Sequence, residues 1–344
     1  MAAPASGSPP RVSVVVPVLD EVRDLGRLLD QLRVQTPPEG GFEVVVSDGG
    51  STDGTVELVR DRAAAWPALL LVPNPGRRSS AGRNAGAARA RGEFVIFLDG
   101  HCALPRADYL VRLVELFAST GVDCLCRPQP LVDLAEEGWG RAIAAARHSP
   151  LGHKRGSEIY RNDPGYADPR SAGAAYRRDL LRRLGGYDER FDACEDVEFN
   201  HRVHEEGCRA YHHPDLAVHY RPRGTLAGLW QQMLRYGRGR AHLFARHPST
   251  APWSLLALSG AALLWILLPV LAGPARGAAA MAILLALWLG ALLFEGRRWA
   301  RPRSDSLRVA MALGAIHLGL LIGFWRGLPE FARFRGISKA AGHV

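Results

Sequence analysis

The chain of 344 residues has only 5 cysteines and 4 methionines, and its acidic residues run out toward the end. The cysteines are odd in number and irregularly spaced, which excludes a disulfide framework and fits a reducing compartment. Cys124 and Cys126, on an expected strand, are read as facing opposite ways, which leaves no zinc site between them. An apolar run at the start is also missing. Residues 1–10 are small, polar and proline-rich, so no secretory signal is expected and the first domain should stay in the cytoplasm. The last third is nearly free of Asp and Glu and rich in Ala and Leu, which implies two regions in different solvents. The net charge of +9 comes without a basic stretch interleaved with aromatics, so no nucleic-acid partner is expected. Arginines instead crowd the edges of apolar segments, where lipid headgroups can meet them.

What is present first is alternation. Residues 12–17, 42–47, 69–72 and 94–98 read as strands, and 25–35, 56–65 and 81–91 as helices. Continuous apolar strands separated by helices predict an α/β domain with a mostly parallel sheet covered on both faces. Such sheets hold ligands at the carboxyl ends of their strands. The acidic and glycine-rich residues fall at those ends: Asp20 and Glu21, Asp48 to Gly50, and Asp99. Over 127–171 the periodicity weakens, and a long connection with a flexible loop is expected. Residues 195–206 then read as a helix closed by Gly207, and 209–213 and 216–220 as strands.

Residues 226–247 predict an amphipathic helix lying on a membrane. Trp230, Met233, Leu234 and Leu243 form its apolar side, and Arg235, Arg238, Arg240 and Arg246 its basic side. Three apolar segments follow, 254–272, 278–294 and 309–325. The first is long enough as a helix to match a bilayer core of about 30 Å, and the others are at the short limit. The expected organisation is a disordered start (1–10), a catalytic domain (11–225), an interfacial helix (226–248), a transmembrane region (249–328) and a basic tail (329–344). Topology stays open. Basic residues at 238–246 and 297–303 belong in the cytoplasm, yet three crossings would export Arg326, Arg333, Arg335 and Lys339, against the positive-inside rule. One segment is then re-entrant or interfacial, or the rule loses here.

The strand ends carry side chains suited to a diphosphate ligand. Asp20, Glu21 and the run Asp48 to Thr55 offer carboxylates to base or ribose groups, beside glycines that let backbone approach; helix capping is the plainer account. Asp99 and His101 can hold a divalent cation, Mg2+ or, given the imidazole, Mn2+. Glu195 and Asp196 open a helix, where a carboxylate can act as general base or merely favour the helix dipole. Gln232, Arg235 and Tyr236, at i, i+3 and i+4, share one helix face.

Taken in order, these residues resemble the family-2 glycosyltransferases of the GT-A fold. The resemblance lies in V-V-V-P-V-L-D-E (14–21), S-D-G-G-S-T-D-G-T (47–55), A-G-R-N-A-G (81–86), F-L-D-G-H (97–101), E-D (195–196) and Q-x-x-R-Y (232–236). It covers roughly residues 11–240. It implies nucleotide contact, with UDP expected, by Pro17, Asp20, Glu21, Asp48, Gly49, Arg83 and Asp99. It also implies a metal site at Asp99 and His101, with His219 as a further ligand, and Asp196 as base supported by Glu195. Gln232, Arg235 and Tyr236 would contact acceptor and diphosphate. Residues 171–177, including Gly173 and Ala174, resemble the loop that floors the acceptor site. Two positions depart from the family pattern: His101 replaces an Asp and Tyr236 a Trp. D-x-H followed by apolar segments resembles the succinoglycan-type subgroup, whose members extend polyprenyl-diphosphate-linked oligosaccharides at the inner membrane. The implied activity is metal-dependent, inverting transfer of a hexose to a lipid-linked saccharide. A polyprenyl-phosphate glycosyl synthase and an inactive nucleotide-binding scaffold remain as alternatives.

Overall fold

The computed structural model describes residues 8–130, 138–152, 158–220 and 223–335. The chain divides into two compact units, residues 1–130 with 156–220, and residues 131–155 with 221–344.

In the first unit the expected alternation appears as β1 (Val12–Val18), α1 (Val22–Arg33), β2 (Phe42–Asp48), α2 (Thr55–Ala64), β3 (Leu69–Pro73), α3 (Ser79–Arg89) and β4 (Phe94–Phe97). β5 (Cys102–Ala103), α4 (Tyr109–Thr120) and β6 (Cys124–Cys126) follow. In the second unit lies α5 (Trp139–His148), after which the chain re-enters the first as β7 (Gly165–Ala167), α6 (Pro169–Ala172), β8 (Gly173–Arg177), α7 (Arg178–Arg183), α8 (Glu195–Glu205), β9 (Ala210–His212) and β10 (His219–Tyr220). The main sheet runs β3-β2-β1-β4-β8-β6-β9-β7, with β10 and β5 as a separate ribbon. β1 to β4 are parallel; β8 is antiparallel to β4 and β6, and β7 to β9.

Both faces of this sheet are covered, which is why its strands are apolar without alternation. Val12, Val14 and Val16 of β1 pack with Leu25, Leu28 and Leu29 of α1 and with Leu113 and Phe117 of α4. Val15 joins Val45, Val95, Phe97, Tyr176 and Phe199 on the other face. Cys124 and Cys126 both belong to that second cluster. The expectation that they face opposite ways is therefore corrected: residues i and i+2 of a strand share a face.

Three further expectations change. The long connection over 127–171 contains α5, whose Ala142, Ile143 and Ala146 are buried at helical spacing; the part at 131–137 and 153–157 lies outside the described residues. Residues 173–177 form strand β8, buried in mid-sheet between β4 and β6, instead of a loop. The two late strands shrink to β9 and β10, separated by a short turn at Pro214–Leu216.

The second unit is helical: α5, then α9 (Leu226–Arg246), α10 (Trp253–Ala272), α11 (Pro274–Trp299), α12 (Ser306–Gly327) and α13 (Phe331–Phe334). α10, α11 and the region of α12 are each long and apolar enough to cross a membrane. The basic tail beyond residue 335 and the start before residue 8 lie outside the described residues.

Candidate active site

In the first unit β1 and β2 end side by side, Val18 opposite Asp48, and the turns leaving them interlock. The Thr52 amide donates to Asp20 Oδ1 and the Asp20 amide to Ser51 Oγ, both at 2.8 Å. The Glu21 amide donates to Thr55 Oγ1 and the Val22 amide to Asp53, both at 3.0 Å. Asp20 is held at φ 55°, a left-handed conformation that a non-glycine residue keeps only when its surroundings fix it. Pro17 lies on β1, and the Gly49 amide donates to Val18 O at 2.9 Å. Asp48 is buried. Its Oδ2 accepts from the Gly50 and Ser51 amides at 2.8 and 3.0 Å, while Oδ1 has no hydrogen-bond partner among the described residues. A buried acceptor left unmatched is a place for a ligand N–H.

Helix α3 sits unusually close to β1. A Cβ on Gly86 would lie 2.3 Å from Val15 Cγ1, so only glycine permits the contact. The approach buries Arg83, whose guanidinium donates to Glu195, to Ser79 and, at 3.1 Å, to Asp99. The Tyr187 ring lies 5.6 Å from it. Burial works against the charge, but Glu195 first and Asp99 second outweigh it, so Arg83 stays protonated well above the ordinary arginine value. Residues distant in sequence thus meet on one cation.

The turn after β4 carries Asp99 and His101. His101 Nδ1 lies 3.0 Å from Glu21 Oε1, and the ring meets Tyr220 edge-on at 4.9 Å. Glu21, expected at the nucleotide, is therefore a partner of the imidazole. β10 pairs with β5 directly after this turn, placing His219 opposite Ala103. Burial holds the His219 imidazole below its ordinary value, in the neutral form that can ligate. Glu195 and Asp196 begin α8 with different environments: Glu195 is buried on Arg83, whereas Asp196 is exposed. The Gly173 carbonyl accepts from Asn200 Nδ2 at 3.0 Å, which ties β8 to α8, and Ala174 follows on the same strand.

One cation was not singled out by the sequence reading. Arg127 follows β6, is buried, and donates to Phe97 O at 3.2 Å, with Nε and Nη1 unmatched among the described residues. A charged residue ending an apolar strand was the available signal.

In the second unit the Q-x-x-R-Y residues do not share one environment. Gln232 is buried and donates to Tyr236 Oη at 3.2 Å, while Arg235 and Tyr236 are exposed. The face read as apolar and open to lipid is taken up by α12: a Cβ on Gly319 would lie 2.7 Å from Met233 Cβ, and one on Gly323 would lie 2.2 Å from Leu234 O. Small residues on α12 let the backbones close up and bury that face.

A carboxylate and an imidazole on one turn suit a divalent cation, and a carboxylate on Nδ1 is the arrangement that orients imidazole for ligation through Nε2. The donor set fits the metal that the sequence implies.

Residues 13–185 match the model described as glycosyl transferase family 2, and residues 169–295 that of glycosyl transferase family group 2. The succinoglycan biosynthesis protein ExoA of Rhizobium meliloti is 32% identical over 331 residues, covering 93% of this chain and 96% of that protein. Glycosyltransferase AglE of Haloferax volcanii is 28% identical over 238 residues, covering 68% of this chain and 74% of its own. Among solved structures, the mannosyltransferase PcManGT of Pyrobaculum calidifontis, in complex with GDP-Man and Mn2+, superimposes with a TM-score of 0.60 at 25% identity, covering 93% of this chain and 89% of that one. The chain belongs to glycosyl transferase family 2 and has the GT-A fold.

Proposed function

We propose that this family-2 glycosyltransferase moves a hexose from a nucleotide-diphosphate donor, UDP-hexose, to a hydroxyl of a lipid-linked saccharide, inverting the anomeric centre. The observation that carries the reading is the buried Arg83, which ties the strand-end carboxylate Asp99 to Glu195 and leaves Asp196 exposed beside it. Asp196 would take the proton of the acceptor hydroxyl. Glu195, fixed on Arg83, would orient the start of α8. Pro17, Asp20, Glu21, Asp48 and Gly49 would frame the nucleotide, with Asp48 Oδ1 accepting from the base. Asp99, His101 and His219 would hold Mn2+ or Mg2+, which would supply charge neutralisation for the departing diphosphate. Gly173 and Ala174 are assigned to the acceptor by the motif, as are Gln232, Arg235 and Tyr236, the latter with the diphosphate. The protein named for succinoglycan biosynthesis supports a glycan-building role, which we place at the cytoplasmic face of the inner membrane. A GDP-sugar is the donor to set against UDP-hexose, because the archaeal mannosyltransferase was solved with GDP-Man.

The test is transfer of radiolabelled sugar into membrane lipids by wild type and Asp196→Asn, across UDP- and GDP-sugars. Loss of transfer of about 10²-fold or more, with nucleotide–Mn2+ binding retained, is the expected outcome. Full transfer by the variant removes Asp196 as base.

A further inference from the structure

α10, α11 and α12 are alike in composition, but their surroundings within the second unit differ. α10 and α11 form a hairpin turned at Gly273, with Trp265 Nε1 donating to Met281 O at 3.1 Å. Only 11% of the apolar window of each is buried, against 50% for the region of α12. Val270, Leu271, Ile283 and Leu287 stand exposed on the hairpin. Apolar side chains exposed on every side call for lipid around them.

α12 follows the second half of α11 as far as Trp288, whose Nε1 donates to His317 Nδ1 at 3.3 Å, and then turns toward the start of α10. It starts against the last turns of α11: a Cβ on Gly296 would lie 2.4 Å from Ser306 O. Its far end meets the first turns of α10, where Trp325 Nε1 donates to Ser259 Oγ at 3.0 Å and Phe324 packs with Leu255. The start of α10 and the end of α11 are on the same side of any bilayer the hairpin crosses. Both ends of α12 therefore touch one side.

The other neighbours of α12 agree. α5 ends beside its middle, where His317 Nε2 lies 2.8 Å from Leu151 O. α9 runs along its second half, from Met233 at Gly319 to Ala241 at Gly327. Arg240 of α9 is exposed alongside. Were α12 a crossing helix, a loop end and charged side chains would sit at hydrocarbon depth, where irregular backbone and charge are disfavoured.

We infer that the hairpin α10–α11 makes the membrane crossings and that α12 keeps both its ends on one side of the bilayer without crossing it, its exposed stripe of Leu307, Met311 and Leu318 meeting lipid. This rests on the reading that the apolar helices are embedded in lipid. Arg326, Arg333 and Arg335 then share a side with Arg238, Arg240 and Arg297, and the conflict with the positive-inside rule disappears.

The test places single cysteines at Ala275, Ser304 and Arg335 in a Cys208→Ser background and labels the full chain with a membrane-impermeant maleimide, in right-side-out and inside-out vesicles. The expected result is Ser304→Cys and Arg335→Cys labelled from one side and Ala275→Cys from the other. Arg335→Cys labelled together with Ala275→Cys overturns the inference and keeps the membrane reading. All three on one side overturns the membrane reading itself.

Discussion

Two close contacts, one in each unit, are made by opposite means. Around Arg83 the first unit brings charged groups together and lets each satisfy the other. Along α12 the second unit removes side chains altogether, at Gly319, Gly323 and Gly327, so that helix backbones meet. The difference fits the function proposed for each region. A site that handles a diphosphate needs fixed charges, and fixing them requires counter-charges. Helices that face lipid gain nothing from hydrophobic transfer between one another and depend on close packing.

The comparison can be broken at each of its ends. Arg83→Ala leaves Glu195 and Asp99 without their cation, and removing one member of a buried pair costs about 3–5 kcal/mol. Denaturant unfolding of the detergent-solubilised protein should show a loss of that size, with Arg83→Lys in between because it keeps the charge and loses the fork. A loss below about 1 kcal/mol would mean that the pair is solvated and that the contrast between the units is false.

Gly323→Ala is the matching change in the second unit. A Cβ there meets Leu234 O at 2.2 Å, and overpacking of this kind costs about 1–3 kcal/mol. Gly260→Ala, where nothing lies within 4 Å, should be neutral or slightly stabilising through helix propensity. Thermal unfolding of both variants in detergent separates the seam from the exposed face of α10. Equal effects would show that the glycines are compositional and carry no packing.

The smallest effect concerns the interlocked turns. Slight burial pushes the Asp53 carboxyl up, but hydrogen bonds from the Thr55 hydroxyl and the Val22 and Thr55 amides outweigh it and hold the group below its ordinary value. A depressed carboxylate contributes stability that is complete above the ordinary aspartate range and is lost as pH falls through the lower, folded value. Asp53→Asn should therefore lower stability slightly at neutral pH and flatten its fall below about pH 4, as followed by circular dichroism in an acid titration.

The sequence made β1, β2 and β4 and the acids at their ends legible, because strands buried on both faces are written as unbroken Val and Ile runs. β8 was not legible. Its Gly, Ala and Arg carry no strand pattern, and it is a strand because β4 and β6 supply hydrogen bonds on both sides. α5 escaped notice for a similar reason: its buried positions are mostly alanine, too small to mark a face until α12 covers them. The motif residues were identified by order, but their partners were not. That Arg83 would meet Glu195, or Glu21 meet His101, depends on contacts 112 and 80 residues apart along the chain. Hydropathy ranked α12 with its two neighbours because it counts residues and not what surrounds them.

The seam between α9 and α12 has a mechanical consequence. Glycines have no rotamers to exchange, so the two helices cannot creep past one another by small side-chain adjustments; a shift would have to skip a full turn, about 5.4 Å, before the backbones could mesh again. The height of Gln232, Arg235 and Tyr236 relative to α12 is therefore indexed like a notch on a rack, either engaged or one tooth out.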